Sequence, residues 1–237
     1  MKLSFEPNLQ YQQDAIKSVT ALFEGQPMED SIVEFKLEEK GKLDLINGIG
    51  NKLVLSEEQV LENLQEIQTV NDISKAEKLD GFHFSVEMET GTGKTYVYLR
   101  TIYELFKQYG FKKFVIVVPS VAIREGVLKN LEITHEHFQN LYDNVPIHFQ
   151  VYDSTKVSSL RGFATGNNIE VLVINIDSFA KDENIINKPN DKLNGQRPVE
   201  FIQTTNPIVI VDEPQNMETE KRITAIDNLK PLCTLRY

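Results

Sequence analysis

Three short apolar runs constrain this chain most: FVIVV at 114–118, VLVINI at 171–176 and IVIV at 208–211. Each has strand length and is continuous rather than alternating, so both of its faces must be covered. FHFSVEM at 82–88 and IHFQV at 147–151 read as further strands. Helical periodicity fills the gaps at 94–109 and 121–131. Strands alternating with helices predict an α/β fold, with a mostly parallel sheet flanked by helices and joined by right-handed crossovers. The 237 residues, 41% of them hydrophobic, suffice for one large core.

The chain divides by charge. It carries 25 basic and 35 acidic residues, a net of −10, but 14 of the acidic and only 6 of the basic ones lie in 24–80. The remainder, 19 against 21, is close to neutral. Whole-chain acidity therefore does not argue against a polyanionic partner. We expect three parts: an N-terminal helix within 1–23, an acidic helical insertion over 24–80, and a core from 81 to 237. In the first, Ile16, Val19, Leu22 and Phe23 share a helical face that Gly25 and Pro27 close. In the second, Ser56 and Gln59 form the pattern of a capping box. Val60, Leu61, Leu64, Ile67 and Val70 then continue at helical spacing, and this amphipathic helix is expected to cover a flank of the sheet. Residues 182–198 are rich in turn formers and predict a long surface loop. No apolar run reaches the roughly 18 residues of a membrane helix, and the N-terminus lacks the apolar stretch of a signal peptide. The single cysteine, Cys233, excludes an internal disulfide and reads as a small buried residue. A soluble, cytoplasmic protein without a membrane partner is expected.

The chemistry concentrates at METGTGKT, 88–95, placed between a predicted strand and a predicted helix. Gly91 and Gly93 let backbone amides approach phosphate oxygens, Lys94 reaches the β and γ phosphates, and the Thr95 hydroxyl can ligate Mg²⁺. Met88 stands where the general motif has its first glycine. A second signal is IVIVDEPQ at 208–215, which delivers Asp212 and Glu213 at the carboxyl end of a strand. Such a pair suits a metal ligand followed by a group that orients or deprotonates water. Gln12, in NLQYQQDAI, could present its amide to an adenine edge with Phe5 or Tyr11 on the base. Other candidates read as structural. His135 and His137 would face apart on a helix, Tyr96 and Tyr98 read as packing residues, and Glu87 and Glu89 as facing away or paired with a basic group. Lys112, Lys113, Lys156 and Arg161 read as solvated charges.

METGTGKT, DEPQ and YQQDAI together resemble the core of a superfamily 2 helicase or translocase. The longer stretches FSVEMETGTGKTYVYLRTIYELFKQYGFKKFVIVVPSVAIREGV, GIGNKLVLSEEQVLENL and IVIVDEPQNM are similar to the restriction (Res) subunit of type III restriction-modification enzymes. The resemblance implies a RecA-like P-loop domain. It further implies an ATP- and Mg²⁺-dependent motor on double-stranded DNA, working with a methyltransferase subunit in the restriction of unmethylated foreign DNA. Carried over by position, it assigns Gln12, Thr90, Gly91, Thr92, Gly93, Lys94 and Thr95 to nucleotide binding. It assigns Thr95 and Asp212 to the metal, Glu213 and Lys94 to catalysis, Ser120 and Arg124 in PSVAIREG to DNA, and Gln215 to coupling. A fragment is expected, ending before a second RecA-like lobe and a nuclease domain, with weak nucleotide binding and near-background hydrolysis on its own. The alternatives are another superfamily 2 DNA or RNA helicase, such as a type I restriction motor subunit, and a non-catalytic DNA-docking module.

Overall fold

In the computed structural model, which describes residues 5–37 and 46–237, the apolar runs split their side chains strictly between two faces. The chain runs through α1 (Gln10–Ala21), β1 (Ile32–Leu37), β2 (Ile46–Asn51), α2 (Glu57–Val70), β3 (His83–Ser85) and α3 (Lys94–Tyr109). It continues through β4 (Lys113–Val118), α4 (Val121–Leu141), β5 (Ile147–Val151), α5 (Ser159–Thr165) and β6 (Ile169–Asn175). The last elements are α6 (Pro198–Gln203), β7 (Ile208–Val211), α7 (Glu220–Asp227) and β8 (Cys233–Arg236). Six strands form one sheet in the order β3-β8-β7-β4-β6-β5, with every pair parallel. In β4, Phe114, Ile116 and Val118 join the core beneath α1, α3 and α4, whereas Val115 and Val117 join the core beneath α5, α6 and α7. Period-two alternation between two covered faces is the physical content of those continuous apolar runs.

The helices follow their sequence signals, with one extension. Ser56 caps α2 reciprocally with Gln59, and Gly110, at φ 79°, closes α3 with its amide on the Phe106 carbonyl at 2.8 Å. Helix α4 runs ten residues beyond the expected 131, because Thr134 and Phe138 prolong the buried stripe of Val127 and Leu131 through a polar-looking stretch. Helix α2 lies against α1, with Asn63 donating to the Leu22 and Glu24 carbonyls at 3.1 and 3.0 Å. Its Leu61, Leu64 and Ile67 are only partly buried.

The acidic segment is not solely helical. β1 and β2 form an antiparallel ribbon, which periodicity missed because the Phe35 ring packs across Gly48 instead of a side chain. Residues 41–45 of the turn-rich stretch lie outside the described residues. Asn51 seats the ribbon on the sheet: its amide donates to the Lys113 carbonyl at 2.8 Å, and its oxygen accepts from the Lys112 and Lys113 amides at 2.9 and 3.1 Å. A side chain thus satisfies the backbone where β4 begins, beside the register of the sheet.

Two expectations fail in this region. Lys113 is not a solvated charge but fully buried, its ammonium donating to the carbonyls of Phe163 at 2.5 Å and Gly166 at 2.6 Å. Burial lowers its pKa to about 8, against the attraction of Glu170, its register partner on β6. Residues 182–198 are not a bare surface loop. Ile186 and Leu193 are fully buried, and Asn184, Asn187 and Asn190 tie the intervening turns with side-chain hydrogen bonds. Cys233 is buried as expected. No helix among the described residues is long and apolar enough to cross a membrane.

Candidate nucleotide-binding site

β3 and β7 are separated in the sheet only by β8, so the segments leaving their carboxyl ends meet. The loop after β3 is a tight turn held by its own groups: the Thr92 hydroxyl donates to the Glu89 carbonyl at 2.6 Å. Gly91 and Gly93 have φ of +83° and +88°, the left-handed region in which a β-carbon is strained. Gly93 is also crowded, since a β-carbon there would stand 2.8 Å from Gln12 Nε2. Helix α3 starts at Lys94 immediately after it, so unpaired amides point out of the turn. Buried Gln12 donates its amide to the Thr92 carbonyl at 2.9 Å, binding α1 to the loop. Phe5 stacks on Tyr96, 6.0 Å between centroids, while Tyr11 stays half-exposed in the wall of a separate cavity of about 1080 Å³ that also borders Thr90, Gly91 and Thr92.

Asp212 leaves β7 with its amide on the Val117 carbonyl at 3.0 Å and its carboxylate buried. The Tyr98 hydroxyl donates to Asp212 Oδ2 at 3.2 Å, and the Thr95 side chain acts on the same hydroxyl. Burial raises the Asp212 carboxyl above its usual range; the Tyr98 hydrogen bond lowers it, the Glu213 carboxylate raises it, and the Lys94 ammonium lowers it. One hydrogen bond from Tyr98, one turn into α3 from Lys94 and Thr95, thus ties the start of that helix to Asp212. Glu213 sits at φ +59°, uncommon for a residue that is neither Gly nor Asn, and Gln215 donates its side-chain amide to the Glu213 carboxylate. An open cavity of about 570 Å³ is lined by Lys94, Gln215, Arg236, Glu87 and Glu89. The two glutamates, expected to face away or to pair with a basic group, rim this cavity together with Lys94 and Arg236.

No group of three or more His, Cys, Asp or Glu side chains converges among the described residues. One carboxylate beside one hydroxyl is nonetheless a suitable donor set for Mg²⁺, which retains waters and takes phosphate oxygens to complete its octahedron. Tyr98 is the residue that sequence reasoning missed. The available signal was helical spacing, because a residue three positions after Thr95 returns to the same face of α3.

The residues expected at DNA lie elsewhere on the same end of the sheet. Ser120 caps α4, its hydroxyl accepting from the Ile123 amide at 3.2 Å. Arg124 pairs with Glu125 at 2.9 Å and lines a groove of about 840 Å³ together with Gln150, Tyr152, Asp153, Lys156 and Asp177. His137 has its imidazole within 2.9 Å of the Tyr96 hydroxyl and takes part in packing rather than in a metal site with His135.

A parallel sheet enclosed by helices, with a glycine turn after one strand and an acidic pair after its near neighbour, defines a RecA-like domain of the phosphate-loop class. Residues 7–236 match the family model described as type III restriction enzyme, res subunit, and the chain belongs to that family and carries its ATPase motor domain. It is 33% identical over 187 residues, 70% of this chain, to the Res subunit of the type III restriction-modification enzyme StyLTI of Salmonella typhimurium. It is 31% identical over 193 residues, 72% of this chain, to the EcoP15I Res subunit of Escherichia coli. Against the EcoPI Res subunit of Escherichia phage P1, identity is 27% over 246 aligned positions, 92% of this chain. The matches cover 19%, 20% and 24% of those relatives, so the chain spans about a fifth to a quarter of their length.

Proposed function

We propose that this chain binds Mg²⁺-ATP between the turn after β3 and the acidic pair after β7, and that it powers a type III restriction enzyme acting on double-stranded DNA with a methyltransferase subunit. The observation that carries the reading is the Tyr98 hydroxyl, which links the first turns of α3, beside Lys94 and Thr95, to the Asp212 carboxylate at 3.2 Å. In this reading the amides from Thr90 to Thr95 surround the phosphates, Lys94 neutralises the β and γ oxygens, and Gln12 sets the loop while facing the base. Thr95 and Asp212 hold the metal, which, when bound, supplies charge stabilisation to the phosphoryl group. Glu213, aimed by Gln215, orients the attacking water and takes its proton, and Gln215 passes the state of that carboxylate to neighbouring segments. Duplex DNA passes the groove that holds Arg124 and Lys156, with Ser120 fixing the helix that carries Arg124.

Thermal unfolding tests the nucleotide assignment. With ADP and Mg²⁺ at about one hundred times the dissociation constant, binding adds about 2.7 kcal/mol. For a chain of this size that raises the melting temperature by roughly 5–10 °C. Lys94→Ala should remove most of the shift. A wild-type chain unmoved by ADP or ATP would reject the assignment. For the DNA assignment, Arg124→Glu with Lys156→Glu should weaken duplex binding and flatten its dependence on salt; unchanged affinity and slope would reject it.

A further inference from the structure

Tyr98 is buried completely on α3, yet its hydroxyl is not spent on packing: it donates to Asp212 Oδ2 at 3.2 Å. It belongs to the helix that begins at Lys94, whereas Asp212 follows directly on β7, so one hydrogen bond joins the two halves of the site. The ring has little freedom. Tyr237 packs against it edge-on at 5.6 Å between centroids, and Tyr237 is itself buried with its hydroxyl on Thr101 Oγ1 at 3.4 Å. A carboxylate has two oxygens, and one that is tied from behind by a fixed donor presents the other in a set direction. Hydroxyl loss here would leave the fold packed but release the carboxylate to rotate.

Resting on the nucleotide site argued above, we propose that Tyr98 is a positioning residue, whose hydroxyl orients Asp212 toward Thr95 so that both reach a divalent cation as one prearranged pair. Tyr98 touches neither nucleotide nor metal. It acts through Asp212, and its contribution is to affinity that depends on the metal, not to affinity for the nucleotide alone. Partners that orient a metal ligand from behind are worth about 10–100-fold in metal affinity.

The test is ADP binding to this chain with Mg²⁺ and with EDTA, for wild type, Tyr98→Phe, Asp212→Ala and the double variant. Tyr98→Phe should keep the metal-free affinity and lose about tenfold in the Mg²⁺-dependent gain. Added to Asp212→Ala, it should cost nothing more, because the group it acts through is gone. An undiminished Mg²⁺ gain in Tyr98→Phe, or an equal loss in both backgrounds, overturns the proposal. If Tyr98→Phe melts too low to assay, the wild-type chain carrying ¹³Cζ-tyrosine decides: adding Mg²⁺ to the ADP-saturated protein should move the Tyr98 resonance, and an unmoved resonance overturns it. Failure of the underlying site looks different, since wild type would then bind ADP under neither condition.

Discussion

Alanine at Gly93 meets two separate obstacles, and each can be given a size. The position has φ +88°, where a β-carbon costs about 1–2 kcal/mol, and the new carbon would stand 2.8 Å from Gln12 Nε2. Gln12 is a flexible side chain, but it is buried and bonded to the Thr92 carbonyl at 2.9 Å, so its retreat costs that hydrogen bond, about 1 kcal/mol. The sum is about 2–3 kcal/mol, or roughly 5–10 °C in melting temperature for a chain of this length. Gly91 is the internal control, because it shares the backbone conformation at φ +83° with open space around it. Gly91→Ala should therefore cost about 1 kcal/mol less and melt about 2–4 °C above Gly93→Ala. In a Gln12→Ala background, Gly93→Ala should fall to the cost of Gly91→Ala, since the second obstacle has been removed. Scanning calorimetry of the four variants reads this directly. Equal melting temperatures for Gly91→Ala and Gly93→Ala would refute the wedge between α1 and the loop.

Asn51→Ala strips the partners from the Lys112 and Lys113 amides and the Lys113 carbonyl where the chain is buried, and should cost about 2–4 kcal/mol by urea unfolding; a loss below about 1 kcal/mol would contradict the clamp. Lys113 gives a pH dependence of defined sign. Its folded pKa of about 8 lies below the unfolded value near 10.4, so between them the unfolded chain holds a proton that the folded chain has released, and stability rises with pH. The penalty is in full force below pH 8, and wild type should gain about 2–3 kcal/mol on Lys113→Met by pH 10. A difference between the two that is flat from pH 7 to 10 would contradict it. Glu213→Gln should leave the ADP-induced melting shift intact while abolishing ATP hydrolysis in a Res subunit of full length; retained hydrolysis would remove the water-orienting role.

The sheet was legible because strands covered on both faces leave continuous apolar runs, and β4, β6 and β7 all show them. Helix α2 was legible from its boundary, Ser56 with Gln59, and α3 from its periodicity behind the glycine turn. What escaped lacks a local signature. The ribbon depends on Gly48 under the Phe35 ring, and α5 and α6, of seven and six residues, are too short for a helical period to show. β8 ends a crossover that its four residues alone do not announce. Lys113 looked solvated because a lysine at a strand start usually is; only the carbonyls of Phe163 and Gly166, fifty residues on, make burial possible. At the site, Lys94 and Asp212 could be named from their motifs, but the convergence of the two depends on sheet order, and Tyr98 becomes visible only through that convergence.

A crystal structure of the chain with Mg²⁺ and a slowly hydrolysed ATP analogue would place the nucleotide and its metal together. The β and γ phosphates should lie in the turn from Thr90 to Thr95 with Lys94 Nζ in contact with them, and the metal should be shared between the Thr95 hydroxyl and the Asp212 carboxylate, directly or through one water. A nucleotide bound away from that turn, or one bound there with its metal out of reach of Asp212, would contradict the assignment.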